Sequence, residues 1–126
     1  MTALCLAAAA ITVALPLQSF TLAWTHSIEK IRWEEDYRLV GDKLELIQAR
    51  IRGSGAGMEP PEGAVFRNGV WHYTPALPAL PRLKLTRSAY VADYELCAAG
   101  RCRSFGEVVG EAKDAPEVEV SVCGKE

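Results

Sequence analysis

Apolar and polar side chains alternate along the chain from residue 20 onward. Phe20, Leu22 and Trp24 are separated by small or polar residues, and the same period of two returns over residues 31–39. This period is typical of a strand that buries one face. The two runs therefore predict an antiparallel hairpin whose register places Trp24 opposite Trp33.

Further short strands follow between turn residues. The apolar phase of residues 43–52 slips between Leu46 and Ile47, which predicts a bulge. The pair Asn68 and Gly69 favours the positive φ angles of a tight hairpin. Other strands are expected at residues 64–66, 70–74, 83–88, 92–97 and 117–123. No long helical period competes, so the sequence predicts an all-β fold, either a small antiparallel β-sandwich or a partly open barrel.

The N-terminal stretch has a different character. Its first 25 residues contain no Asp, Glu, Lys or Arg, and small residues at Thr12 and Ala14 allow cleavage after Ala14. Residues 1–17 are therefore expected to be a signal peptide or N-terminal anchor, followed by a single β domain over residues 18–126. A buried N-terminal element of a cytosolic fold is the third alternative. Export predicts a periplasmic or other extracytoplasmic location, with membrane contact only through residues 1–17 if they are not cleaved.

Length and net charge limit the number of domains and the kinds of partner that the protein is expected to have. A chain of 126 residues fits one domain. Fourteen Lys and Arg against sixteen Asp and Glu give a net charge of −2, so the chain lacks the basic surface of a nucleic-acid-binding protein. No nucleic-acid partner is expected.

Cysteine spacing predicts one disulfide. Cys97 and Cys102 flank a four-residue turn containing Gly100, which suits a bridge across a hairpin in an oxidising compartment. Cys123 is left over, or it bridges to one of these two instead. Three thiols without a His at ligand spacing are a poor zinc set, and no cofactor is expected.

Two ionisable side chains share a strand face with apolar residues. His26 follows the parity of Trp24, and Glu35 follows the parity of Trp33 and Tyr37. A buried carboxylate needs a hydrogen-bond donor, a cation or access to water. A polar pocket that holds an anion or a metal is one interpretation, and a structural network that pins the hairpin is the other. The candidate binding residues are His26, Ser27, Glu29, Glu35, Ser54, Gly55 and Gly57.

Enzyme chemistry is not expected from these residues. Ser27 and His26 are adjacent on a strand, so their side chains point to opposite faces and cannot pair as nucleophile and base. The glycine loop of residues 53–58 lacks a following Lys-Ser or Lys-Thr and is not a phosphate loop. No catalytic residue is predicted.

Three motifs occur in a characteristic order. They are the run His-Ser-Ile-Glu at residues 26–29, the acidic pair Glu34 and Glu35, and the glycine loop of residues 53–58. In this order the chain resembles the domain-of-unknown-function 1850 family over roughly residues 20–105. Members of that family are small proteins with an N-terminal export segment.

The resemblance implies a setting for the protein. Genes of that family commonly lie beside those of tripartite periplasmic transporters of the TAXI subclass. The implied function is a non-enzymatic accessory role, exerted by contact with the solute-binding or membrane subunit of such a transporter. The alternative is a small-anion or metal-binding β module that uses His26, Glu35 and the glycine loop, and a hydrolase ranks third. The proline-containing segment of residues 76–81 is one candidate contact surface.

Overall fold

A computed structural model describes residues 2–25, 30–52 and 62–124. Over these ranges the chain forms strands joined by short turns, together with one short helix. The strands are β1 (Ala3–Ala8), β2 (Ile11–Leu15), β3 (Ser19–Thr25), β4 (Arg32–Val40), β5 (Lys43–Arg52), β6 (Val65–Arg67), β7 (Val70–Tyr73), β8 (Arg82–Thr86), β9 (Glu95–Ala98), β10 (Arg101–Ser104) and β11 (Glu117–Cys123), and the helix is α1 (Phe105–Val109).

The strands form two antiparallel sheets that do not close into a barrel. The small sheet has four strands in the order β2-β1-β11-β8, and the large sheet has seven in the order β10-β9-β3-β4-β5-β7-β6. The predicted all-β sandwich is therefore confirmed. Among the described residues, no helix is both long and apolar enough to cross a membrane.

The core lies between the two sheets and is closed at one end by α1. Leu4 and Leu6 of β1 belong to one buried cluster with Phe105 and Val109 of α1. Burying a side chain of this size contributes roughly 1.5–3 kcal/mol. The helix is fixed at its start because Glu107 N donates to Ser104 Oγ over 3.2 Å while Ser104 N donates to Glu107 Oε1 over 3.0 Å.

The hairpin of β3 and β4 has the predicted register. Trp24 pairs with Trp33 and Leu22 with Glu35. The two indole rings stack with centroids 6.1 Å apart. The parity argument for Glu35 is therefore confirmed, because this residue lies on the same strand face as Trp33.

The predicted bulge lies in β5. Asp36 pairs with Gln48 while Tyr37 pairs with Leu46, so Ile47 is the extra residue. Its side chain is exposed. The bulge therefore explains why the alternation of apolar residues along β5 shifts by one position. A bulge of this kind also increases the local twist of the strand.

Four hairpin turns in the described ranges use positive φ angles, one of them at Gly41 between β4 and β5 with φ of 63°. Asn68 and Gly69 join β6 to β7 with φ of 51° and 78°, as their sequence predicts. Ala99 and Gly100 join β9 to β10 with φ of 52° and 79°. The turn between β1 and β2 places Ala9 at φ 51°. A left-handed conformation costs an Ala roughly 1–2 kcal/mol, so these two turns are held by the strands that flank them.

The N-terminal segment, expected to be a signal peptide or an anchor, contributes two strands to the small sheet. In the structure β1 pairs with β11 on one side and with β2 on the other, and Leu4 and Leu6 are fully buried. Cleavage after Ala14 would remove most of this two-stranded half of the small sheet. The apolar run of β1 does not alternate clearly with polar residues because β1 lies inside the small sheet and most of its side chains are buried. The export role of the segment stays a prediction.

The structure holds two disulfides. The predicted bridge between Cys97 and Cys102 is present, and these residues pair directly across β9 and β10. Cys123 bridges to Cys5 of β1, which corrects the expectation that it is left over or bonded to one of the other two. That second bridge joins strands that are 118 residues apart and ties the chain start to the chain end.

Candidate functional site

The outward face of the large sheet carries an ionic network that crosses four strands. The carboxylate of Glu34 on β4 lies 2.8 Å from Arg32 Nε, 2.9 Å from Arg50 Nε and 3.2 Å from Arg52 Nη2. Asp36 accepts two hydrogen bonds from Arg50, of 2.5 and 2.8 Å. The network is named here the Glu34 cluster, and its members are Thr21, Arg32, Glu34, Asp36, Arg50, Arg52 and Glu95.

Glu34 is the most buried charge of this cluster, with 7% of the residue exposed. Burial opposes its ionisation, but the hydrogen bonds from Arg32, Arg50 and Arg52 outweigh burial and lower its pKa to about 2. Burial likewise opposes ionisation of Asp36, while hydrogen bonds from Arg50 and Thr21 lower its pKa. Both carboxylates are therefore ionised at neutral pH.

Charges in the Glu34 cluster balance one another. Three arginines face three carboxylates, because Arg32 Nη1 also contacts Glu95 Oε1 over 3.0 Å. The hydrogen bond to Asp36 is the largest cause of the raised pKa of Arg50. The carboxylate oxygens of the cluster accept hydrogen bonds from its own arginines. We therefore interpret the cluster as a charge clamp, a set of ion pairs that joins neighbouring strands, and not as a cation site.

Glu35 points to the opposite face, toward the core. It accepts a hydrogen bond of 2.8 Å from the Tyr37 hydroxyl. Burial raises its pKa and the hydrogen bond from Tyr37 only partly offsets this effect. Burial, and then the nearby Glu35 charge, raise the pKa of Tyr73 and of Tyr94. Glu35 is thus a half-buried carboxylate among three tyrosines.

Most of the residues expected at a site lie outside the described part of the chain. Of the predicted binding residues, only Glu35 is described. The others are His26, Ser27, Glu29, Ser54, Gly55 and Gly57. The described residues that border these two segments lie side by side. Thr25 at the end of β3 pairs with Arg32, and Arg32 pairs with Arg52 at the end of β5. Glu35 is three residues along β4 from this row, or about 10 Å.

A groove of about 230 Å³ opens beside the end of β3. The aromatic part of its lining is Trp24 and Tyr94, whose rings lie 6.1 Å apart. The rest of the lining comes from the last residues of β3 and β8 and from the segment that follows β8. The lining residues are Trp24, Thr25, Thr86, Arg87, Ser88, Val91, Ala92, Asp93 and Tyr94. This groove is called the aromatic groove below.

The segment beside the aromatic groove is anchored at both ends. The buried guanidinium of Arg87 donates to the Gly110 carbonyl oxygen over 2.6 and 3.0 Å. Asp93 accepts from Gly106 N over 2.7 Å. Between these anchors, 95% of Tyr90 and 49% of Val91 are exposed. The period of apolar residues did not predict this exposed segment. The one feature of the local sequence that indicates it is an aromatic residue within a turn.

One group of residues in the described ranges has the spacing of metal ligands. The ligand atoms of Glu95, Cys97 and Cys102 lie within 4.8 Å of one another. Both sulfurs are joined to each other in the disulfide, so neither is available as a thiolate. The arrangement in this form does not offer a thiolate site.

These features define a disulfide-linked antiparallel β-sandwich with a charge clamp on one face and an aromatic groove at one end. The family model described as Domain of unknown function (DUF1850) matches residues 20–105, so the chain belongs to this family. In comparisons with curated proteins and with solved structures, nothing matches the chain.

Proposed function

We propose that the domain is an extracytoplasmic accessory protein that acts by protein–protein contact. Its partner in this proposal is the solute-binding or membrane subunit of a TAXI-type tripartite transporter. The observation that carries the proposal is Tyr90, which is 95% exposed and directly precedes Val91 of the aromatic groove's lining. Tyrosine is enriched at the centres of protein interfaces, where its ring fills pockets of the partner.

The backbone around Tyr90 favours binding at low entropic cost. Tyr90 N donates to Ser88 Oγ over 3.1 Å, and the segment is anchored by Arg87 and Asp93. A segment already held in its bound conformation loses little freedom on association. The exposed ring on this anchored segment therefore supports contact with another protein.

The choice of partner rests on the family. Genes of family members commonly lie beside those of TAXI-type transporters, which supports a role with that machinery. Two disulfides support an oxidising, extracytoplasmic compartment. The net charge of −2 fits a protein partner better than nucleic acid.

Calorimetric titration of the purified domain with the neighbouring TAXI-type solute-binding protein tests the proposal, and a membrane preparation of the transporter tests the other subunit. Tyr90→Ala should weaken binding by about tenfold or more, as for an interface hot spot. Val40→Ala, which alters an exposed apolar residue of β4, is the matched control and should leave binding unchanged. Leu77→Ala tests the rival proline-containing surface, where Leu77 is 59% exposed. Failure of the domain to bind either subunit would refute the proposal.

Glu35 favours a second candidate, a β module that binds a small ligand or a metal. Its carboxylate is half-buried on the core-facing side, and burial raises its pKa. Such a group is a recognised mark of functional sites. Native mass spectrometry of the exported domain would show an added mass that is lost in the Glu35→Gln variant. A bare mass in both proteins would count against this candidate.

A further inference from the structure

The two disulfides differ in their surroundings. Cys102 is exposed and Cys97 is half-buried, whereas Cys5 is buried with 8% of the residue exposed. Cys123 Sγ lies near the Ala3 carbonyl oxygen at 3.6 Å. Within the described ranges, a cationic side chain contacts the sulfurs of only one bridge, the one between Cys97 and Cys102.

That side chain is Arg32 of the Glu34 cluster. Its Nη2 atom lies 3.9 Å from Cys97 Sγ and 4.0 Å from Cys102 Sγ. Contacts to Glu34 at 2.8 Å and to Glu95 at 3.0 Å hold the guanidinium in this place. The positive charge is therefore positioned at the disulfide before any reaction takes place.

We propose that Cys97 and Cys102 form a thiol–disulfide exchange site whose substrate is a dithiol, while the bridge between Cys5 and Cys123 is structural. The geometry carries this assignment, because an accessible sulfur, its bonded partner and a fixed guanidinium lie together. The Arg32 guanidinium favours the thiolate, which is the form that attacks and the form that leaves, and the Glu95 carboxylate within 4.8 Å of both sulfurs opposes it in part. The inference is independent of the transporter partner proposed above.

The exchange balances with the dithiol as reductant. A thiolate of the dithiol attacks Cys102 Sγ and forms a mixed disulfide, while the bond to Cys97 breaks and its sulfur leaves as a thiolate beside Arg32. The second thiol of the dithiol attacks the mixed disulfide and releases Cys102. The dithiol is oxidised to a disulfide, and two electrons and two protons pass to the Cys97 and Cys102 pair.

The structure also explains how the fold survives this reduction. Cys97 and Cys102 lie in a hairpin that is already closed by paired backbone, and β9 is held by β3 through three residue pairs from Thr21 to Ala23. Opening the bridge therefore leaves the strand order intact. The bridge from Cys5 to Cys123 likewise links paired strands, β1 and β11, but its cysteines lie 118 residues apart and therefore close a much longer loop.

The test uses the full chain, dithiothreitol as the probe dithiol, and rapid alkylation followed by peptide mass mapping. In the wild-type protein, Cys97 and Cys102 should be labelled together at a rate at least about tenfold above that of Cys5 and Cys123. Circular dichroism in the near ultraviolet should show that the protein stays folded at this stage. Labelling of all four cysteines at one rate would overturn the proposal.

Substitution of Arg32 tests its part in the exchange. Arg32→Gln should slow exchange at pH 7 by about threefold or more and move the alkylation of Cys97 in the reduced protein to higher pH. Arg32→Lys should keep most of the rate because the charge remains. Arg38→Gln is the matched control, since Arg38 lies on the same strand and pairs with Glu45 at 2.6 Å, away from the sulfurs. An alkylation profile that is the same in Arg32→Gln as in the wild type would refute the positioning role of Arg32.

Discussion

Replacing Glu34 by Gln tests the charge clamp on the large sheet. The ordinary pKa of 4.5 falls to about 2 in the folded protein. That difference corresponds to about 3 kcal/mol in favour of the ionised carboxylate. Glu34→Gln removes this charge at nearly constant shape, and it leaves the guanidinium of Arg50 with Asp36 and that of Arg32 with Glu95. We expect a loss of about 3 kcal/mol in the free energy of unfolding at pH 7.

The loss should depend on pH in one direction. Because the pKa of Glu34 is lowered on folding, its contribution is complete above the unfolded value of 4.5 and declines as pH falls toward about 2. Urea denaturation of wild type and variant at pH 7, 4 and 2.5 therefore should show a difference that shrinks with acidity.

An exposed ion pair provides the control for this experiment. Glu45 pairs with Arg38 at 2.6 Å, but their side chains are 40% and 58% exposed. Glu45→Gln should cost less than about 1 kcal/mol at any pH, as exposed pairs usually do. If Glu34→Gln cost no more than Glu45→Gln, or its cost stayed constant down to pH 2.5, the clamp would not hold the sheet as described.

Three other perturbations have defined outcomes. Glu35→Gln should raise the melting temperature at pH 7 and have little effect at pH 4, because burial raises the pKa of Glu35 and its ionised form therefore destabilises the fold only at higher pH; a lower melting temperature at pH 7 would contradict this. Ala99→Asn should stabilise the protein by about 1 kcal/mol in urea denaturation, since Asn tolerates the φ of 52° better than Ala; an unchanged midpoint would show that the turn is not strained. Replacing Cys5 and Cys123 by Ser should lower the free energy of unfolding by about 5 kcal/mol, and replacing Cys97 and Cys102 by Ser should lower it by about 2 kcal/mol, because the longer loop constrains the unfolded chain more. Equal losses in urea denaturation would argue against this chain-entropy model.

Local pattern predicted the part of the fold in which strand neighbours are also sequence neighbours. The hairpin of Trp24 and Trp33, the bulge beside Ile47 and the turn at Asn68 all follow from a period of two interrupted at one point. In each case the pairing strand lies within a few residues of the turn, so the sequence contains the register.

The small sheet could not be predicted in the same way. β1 pairs with a strand more than a hundred residues later, and its mostly buried residues, including Leu4, Leu6 and Cys5, form a run without clear alternation. A short apolar run of this kind is also typical of a signal peptide. The disulfide from Cys5 to Cys123 was missed for the same reason, because its partners are brought together only by that pairing.

Within the described residues, the sequence predicted the strand face of one candidate binding residue. Parity correctly placed Glu35 on the core-facing side, whereas no pattern in the sequence singled out Glu34 as a buried charge. Its burial depends on Arg50 and Arg52, which reach it only when β5 lies beside β4 in the observed register. The burial of Glu34 therefore depends on how β4 and β5 are aligned, and the sequence of β4 alone does not predict it.

The most direct test of the proposed function is hydrogen exchange of the domain mixed with the neighbouring TAXI-type solute-binding protein, and separately with the transporter's membrane subunit. One of these partners should slow exchange over residues 86–94 and at the end of β3, where the aromatic groove lies. Protection confined to another surface, such as residues 76–81, would contradict the assignment of the groove. An exchange pattern unaltered by both subunits would contradict the accessory role itself.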